Sequence, residues 1–550
     1  MIRYLPLLIC AVGLAPSAHA QAPTLVPPTF TWATVYNVVP RAGTGSALWG
    51  HPVATVAANG DGWIIMPDTL VSTLYGGLGH QRLERRRADG SLAFSRLVRG
   101  RSYLTQLRAA PNGRVYLLGH FVGSVTLDAQ HVLTDPDPFP LAHDFLACLD
   151  STGAVLYARD LTVTFSEPYR NARALVPAPG DHLYLGMTNT TRGTLIYHLD
   201  AQGVVVSTIT QTGGMTVDGL DLDAQGTLFV TGTCMRPQGG SFNGTQVVPG
   251  VSGNGYNQYV ACYEPTSTLR WVQFMGDFTC VDPQVRVDGT GGVYWLTTLT
   301  GPATLGGITL PGPTSGGSGD FLLARFSPTG AVQWAHDVPT GQTQNTGAWM
   351  GQSFCLDTDL AGNVYLAGLT EGTIQWAPGV QTTTGPYKEL VVQRVSPAGV
   401  VEWARTAPAS QYYVMGGTLD VAPDGTVIVT GTGHGVMTFD ALTLPPVSHA
   451  HHFVARLTQA VGPTATPDNA ATASAWHLSP NPTADRILLQ PPVGAGTGTA
   501  ELFDALGRRV AQAVNVSGPV AFDLRAFPSG LYVVRATTAT GTWTGRLVRE

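Results

Sequence analysis

Residues 319–337 read GDFLLARFSPTGAVQWAHD. An apolar run ending at Phe326 is broken by Ser327, Pro328 and Gly330, and a second run carrying Trp334 follows. That is the pattern of two antiparallel strands joined by a tight turn. The same text returns as ELVVQRVSPAGVVEWA (389–404), YVACYEPTSTLRW (259–271), LIYHLDAQGVVVS (195–207), FLACLDSTGAVLY (145–157) and RLERRRADGSLAF (82–94). Interleaved with it is a second motif, a turn followed by apolar and aromatic residues. Its copies are DGWIIM (61–66), NGRVYLLG (112–119), GDHLYLG (180–186), QGTLFVTG (225–232), TGGVYWL (290–296), AGNVYLAG (361–368) and DGTVIVTG (424–431). These seven copies recur about every 60 residues, a spacing that marks stacked supersecondary units rather than one open sheet.

The last copy of the first motif is incomplete. FVARLTQAVG (453–462) has no Trp-bearing strand after it, whereas Phe30-Thr31-Trp32-Ala33 near the start matches Gln333-Trp334-Ala335 and Glu402-Trp403-Ala404. An array that borrows its final strand from the opposite end closes without an exposed sheet edge.

These residues resemble the seven-bladed β-propeller repeat of many bacterial exported proteins (the SBBP type), in which D-x-x-G-N-V-Y-x-x-G and F-V-A-R/K-x-x-P-x-G-x-x-x-W-A recur. The resemblance spans residues 30–457 and is closest at 319–337, 357–368 and 389–404. It loosens early, where Arg86 stands for an apolar residue and Phe94, Tyr157 and Ser207 stand for the tryptophan. It implies an all-β chain whose residues 21–460 form a seven-bladed propeller closed by an N-terminal strand.

Composition points the same way. With 66 Gly, 39 Pro and only 12% charged residues, the 550-residue chain is no coiled coil, collagen or charged disordered tail. A net charge of −6 gives no sign of the basic surface that nucleic acid demands. Residues 1–20 carry Arg3, an apolar run and Ala18-His19-Ala20, so a signal peptide cleaved before Gln21 is expected. Cys10 follows bulky Ile9, which argues against lipidation there. No run is long enough for a membrane-spanning helix. Five Cys follow the signal, none in a C-x-x-C pair, and a disulfide involving Cys280 is left open.

Residues 461–475, rich in Thr, Ala and Pro, read as a linker to a small domain at 476–550. There, short alternating segments predict an antiparallel β-sandwich of the Ig-like kind. Ser479-Pro480-Asn481-Pro482, Phe503-Asp504, Gly507-Arg508, Pro528-Ser529-Gly530-Leu531-Tyr532 and the terminal Leu547-Val548-Arg549 resemble the type A C-terminal sorting domain of the type IX (Por) secretion system of Bacteroidetes. Glu550 departs from the Lys or Arg commoner at that end. The resemblance implies passage across the outer membrane to the cell surface or beyond, with the type IX machinery and its sorting peptidase as partners. Pro480, Asn481, Pro482, Asp504, Gly507, Arg508, Gly530 and Tyr532 would carry the sorting motif.

No G-x-S-x-G, H-E-x-x-H or P-loop occurs, and neither a catalytic residue nor a cofactor or metal is assigned. Asp221-x-Asp223 and Asp357-x-Asp359 echo calcium loops, but they fall in the turn column, where Asp bonds its own backbone. His449-x-His451-His452 reads as a polar loop, and Cys148 and Cys262 share a column with Arg325, Arg394 and Arg456. Seven Arg crowd 82–101; of these, Arg82, Arg85, Arg86, Arg87, Arg99 and Arg101 are the candidate ligand residues, suited to bidentate capture of an acidic glycan. The alternative for them is a solvated sheet edge. The expectation is a secreted or surface-displayed binding module for an extracellular glycan or protein. Its rivals are a polysaccharide hydrolase or lyase, favoured by carboxylates gathered at one axial mouth, and a passive matrix component.

Overall fold

The computed structural model describes residues 27–36, 51–72, 78–135, 142–165, 170–189, 193–213, 216–234, 240–247, 257–276, 283–313, 320–339, 347–350, 355–410, 415–445, 447–458, 476–479, 481, 483–491, 497–504, 508–516, 518–538 and 541–549. The proposed signal peptide, Cys280, the linker and Pro480, Pro482 and Gly507 lie outside them. The chain divides into two compact units, Met1–Ala460 and Val461–Glu550.

The first unit is a succession of antiparallel sheets whose strands follow chain order. Val53–Val56, Gly62–Ser72, Leu78–Arg86 and Leu92–Ala109 pair in turn. The last of these, 18 residues long, is bulged at Gly100/Arg101 and passes into the next sheet, where it pairs with Val115–Thr126. The first strands of successive sheets neighbour one another. Val53–Val56 meets Leu92–Ala109, then follow Arg170–Ala178, Gly219–Leu222, Gln284–Val287, Leu356–Thr358 and Met415–Val421, which returns to Val53–Val56. The cycle is closed.

Its closure uses the N-terminal strand. Thr29–Tyr36 pairs antiparallel with Val447–Thr458, placing Trp32 opposite Arg456 as Trp334 stands opposite Arg325 and Trp403 opposite Arg394. Phe30 is 5% exposed and packs edge-on against Phe439 at 4.9 Å.

Neighbouring sheets are latched by one recurring contact. A Cβ at Gly330 would come within 2.7 Å of Trp271 of the preceding sheet, one at Gly399 within 3.0 Å of Trp334, and one at Gly90 within 2.8 Å of Trp32. Trp271 and Trp334 each donate an indole N–H to the proline carbonyl of that turn, Pro328 and Pro397, at 3.0 Å. Glycine is required twice over, since Gly330 also has φ +84°. Where the aromatic is absent, at Ser207, the following turn carries Ser267 at φ 66° in place of glycine.

Short hairpins unforeseen in the sequence lie between the second and third strands of the later sheets, at Gly240–Phe242 with Thr245–Val247, Ala303–Leu305 with Ile308–Leu310, Thr373–Ala377 with Val380–Thr383, and Thr438–Phe439 with Leu442–Thr443. The first pairs with the outer strand of the sheet before it, through Gln211 and Thr212, and so spans a joint.

The second unit holds two antiparallel sheets. One orders His477–Ser479, Arg486–Gln490 and Val520–Asp523; the other orders Arg509–Val516, Gly498–Asp504, Gly530–Thr538 and Gly541–Arg549. Ile487, Leu489 and Phe522 of the first share a core with Leu502, Val534 and Leu547 of the second. Among the described residues, no helix is long and apolar enough to cross a membrane.

Candidate functional site

The aromatic column of the second strands fixes a partner column on the first strands, always eight residues earlier. Thr55 faces Trp63, Arg108 faces Tyr116, Val176 faces Tyr184 and Asp221 faces Phe229. Arg286 faces Tyr294, Asp357 faces Tyr365 and Asp420 faces Ile428. All seven partners line one cavity of about 360 Å³ enclosed by the cycle of first strands. Its walls include Val56, Leu220, Val287 and Val421, and Ala58, Pro111 and Pro423 of the adjoining turns also border it.

The polar members stitch each sheet to the next. Asp221 accepts the Val287 N–H at 2.7 Å, Asp357 the Val421 N–H at 2.8 Å, and Asp420 both the Val56 N–H at 2.6 Å and the Thr55 hydroxyl at 2.8 Å. Thr55 Oγ1 in turn accepts the Ala109 N–H at 3.1 Å. Arg108 reaches Asp420 at 3.3 Å, and Arg286 Nε lies 3.3 Å from Asp357 while its Nη1 donates to the Val285 carbonyl at 2.8 Å. Arg286 Nη2, on a residue only 4% exposed, has no hydrogen-bond partner.

Three carboxyl groups around one axis cannot all ionise freely. Burial pushes Asp221 up to about 7, against the pull of the Val287 N–H and Arg108. Burial also raises Asp357 and Asp420, which hydrogen-bond to one another, and the charge of Asp357 raises Asp420 further. Both therefore favour their protonated forms, beside the guanidinium groups of Arg108 and Arg286.

The arginine cluster is dispersed by its partners. Arg82 donates from Nε to Asp68 at 2.8 Å, Arg85 sits 3.6 Å from Asp61 and stacks over Trp63, and Arg86 holds Glu84 at 2.8 Å and the Tyr36 hydroxyl at 2.9 Å. Arg85 occupies the column of Arg325 and Arg394, which likewise pair with Asp288 and Asp359 of their turns and stack over Tyr294 and Tyr365. Its position is thus a feature of the repeat. Arg87 and Arg99 are exposed, and Arg101 is half-buried beside the bulge.

Asp223 and Asp359 cap their own turns: Asp223 accepts the N–H of Gln225 and Thr227, and Asp359 those of Ala361 and Asn363. Asp221 and Asp357, two residues earlier, line the axial cavity instead. His451 and His452 do not form a loop. They lie fully buried inside Val447–Thr458, where burial pushes His452 down to about 3 and Thr432 bonds its Nδ1 at 3.0 Å; the side chain of His449 lies outside the described residues. Cys148 and Cys262 occupy the arginine column as free, buried thiols opposite Tyr157 and Trp271. Arg108, Arg286 and Asp420 escaped the sequence reading. Their fixed spacing of eight from the aromatic column was the available signal.

In the second unit one of the residues singled out in the sequence grips a neighbouring strand and two tie local turns. Asn481 donates to the Arg546 carbonyl at 2.7 Å and accepts the Val548 N–H at 2.9 Å, gripping the last strand. Asp504 accepts from Arg508 through its backbone N–H at 2.9 Å and its guanidinium at 2.7 Å, and Tyr532 donates to the Pro528 carbonyl at 2.6 Å. Gly530 opens the strand Gly530–Thr538.

Comparison with solved structures gives loose global likenesses. A protein of unknown function from Bacteroides caccae matches at 9% identity and TM-score 0.32, over 60% of this chain and 94% of that one. PorZ, described as an essential surface component of the type-IX secretion system of Porphyromonas gingivalis, matches at 12% and 0.31, over 93% and 76%. The Pan2 WD40 domain of Neurospora crassa matches at 9% and 0.40, over 79% and 97%. No curated protein matches the chain. A family model does match its end: residues 477–550 fit the secretion system C-terminal sorting domain, so the chain carries a secretion sorting tail.

Proposed function

We propose that the chain is an exported seven-bladed β-propeller of the SBBP type, followed by an Ig-like sandwich at 476–550 that hands it to the type IX machinery and its sorting peptidase. The propeller, residues 21–460 after removal of 1–20, acts outside the outer membrane, surface-attached or released, as a binding module for an extracellular glycan or protein. The seven-blade count is supported by the cycle of first strands and by the N-terminal strand that completes the last sheet. The observation that carries the binding reading is the axial cavity, to which every first strand of the cycle contributes a residue. Exposed Arg87 and Arg99 offer peripheral contacts for an acidic glycan; Arg82, Arg85, Arg86 and Arg101 are half-buried. Thermal melting of the full chain against a panel of neutral and acidic glycans tests this, because a ligand that prefers the folded state raises the midpoint. No shift with any glycan, and no retention on any immobilised one, would leave the passive-matrix rival in its place.

One observation favours a second reading. Asp221, Asp357 and Asp420 gather in one axial cavity, and Asp221 is raised to about 7, where a carboxyl group serves as a general acid. A propeller hydrolase or lyase would release reducing ends from a polysaccharide, and Asp221→Asn would abolish that release.

A further inference from the structure

The axial cavity has the size of a small-molecule pocket, and its lining narrows the chemistry it could meet. Its volume of about 360 Å³ sits at the small end of the ~300–1,000 Å³ that ligand pockets occupy, room for one sugar-sized unit. Arg286 Nη2 is a buried, charged donor left without an acceptor, and such a group is costly unless something fills the place. Arg286 lines the cavity and is otherwise held by Asp357 at Nε and the Val285 carbonyl at Nη1, so Nη2, which lies just beneath the cavity surface, would turn outward to meet an acceptor there. Arg108 adds a second guanidinium to the same space. Asp221 spends one oxygen on the Val287 N–H and retains acceptor capacity. Between them lie apolar surfaces from Leu220, Val287 and Val421.

We propose that this cavity receives a polyhydroxylated carboxylate of monosaccharide size, with Arg286 and Arg108 taking the carboxylate and Asp221 accepting from a hydroxyl. The inference rests on the binding-module reading and gives it a ligand class. A metal cation is a poorer occupant, because among the described residues no three His, Cys, Asp or Glu side chains cluster closely enough to hold one.

Isothermal titration of the full chain tests it, with D-glucuronate as probe and D-glucose, acetate and inorganic phosphate as comparisons. Glucuronate should bind saturably and at least about tenfold more tightly than the other three, as expected when both a charge-assisted and a neutral hydrogen bond are made. Arg286→Gln should weaken glucuronate about tenfold or more. Asp221→Asn, whose amide oxygen still accepts the Val287 N–H, should weaken glucuronate while leaving acetate unchanged. Should Arg286→Gln melt early, the Asp221→Asn comparison decides alone. Phosphate or acetate binding as tightly as glucuronate would overturn the hydroxyl half of the proposal; no saturable glucuronate binding would overturn it entirely. If the chain still bound an acidic polysaccharide, untouched by either substitution, the cavity assignment would fall while the binding-module reading stood.

Discussion

Replacing Phe30 by Ala removes the largest buried side chain of the closing strand. Phe30 is 5% exposed, meets Phe439 at 4.9 Å and belongs to the core that also contains Phe453 and Leu457. Truncating a buried Phe costs about 3–5 kcal/mol through lost transfer energy and the cavity left behind. For a unit of roughly 430 residues the unfolding entropy is about 0.9 kcal/mol per kelvin, so the midpoint should fall by about 4 °C. Differential scanning calorimetry measures this directly. A parallel limited proteolysis should show earlier cleavage within Thr29–Tyr36, because the strand's hydrogen bonds to Val447–Thr458 now rest on less packing. An unchanged midpoint and an unchanged cleavage pattern would refute the claim that the N-terminal strand closes the ring.

Gly330→Ala should lower the midpoint by a similar few degrees, since it adds a Cβ 2.7 Å from Trp271 at φ +84°, while Ser267→Gly should raise it slightly by relieving a positive φ; calorimetry of both variants checks the pair of signs. The axial carboxyl groups' own contribution to stability should fall as pH rises from about 4 through neutrality, because the folded state favours the protonated forms of Asp221, Asp357 and Asp420 while the unfolded chain releases those protons above its ordinary carboxylate pKa of ~3.9; buried histidines such as His452, held neutral in the fold, act in the opposite sense. Between pH 5 and pH 8, urea melts of Asp420→Asn, which still accepts the Val56 N–H and lacks the repulsion with Asp357, should lose less stability or gain more than those of the parent chain; an identical change in both would show that the axial carboxyl groups make no such contribution. Asn481→Ala should loosen the last strand by removing both of its bonds, seen as faster amide exchange across Gly541–Arg549 and reduced export from a type IX-competent host.

The chain text determined a good deal by itself. Alternating apolar residues and Gly- or Pro-bearing turns dictate strands and hairpins locally, so the two interleaved motifs and the displaced Trp32 strand are legible in the sequence. The sequence matches a sorting tail over 477–550, and of the positions it singled out there, Asn481 grips the last strand, Asp504, Arg508 and Tyr532 tie local turns, and Gly530 begins a strand. Small hairpins such as Ala303–Leu305 with Ile308–Leu310 were missed, since strands of three residues hold too few side chains for a period to show.

Only the tertiary structure decided what the charged residues do. Arg85, Arg86 and Arg87 are consecutive in the chain yet end on different partners: Arg85 beside Asp61, Arg86 on Glu84 across a bulge in the register, and Arg87, past the end of the strand, on the Ser91 hydroxyl. Arg108, Asp221, Arg286, Asp357 and Asp420 are far apart in sequence and meet because each projects from the first strand of its own sheet towards one axis. A local pattern encodes which residues form a strand; which side chains converge depends on the closure of the ring, and that is set by the packing of every sheet on the next.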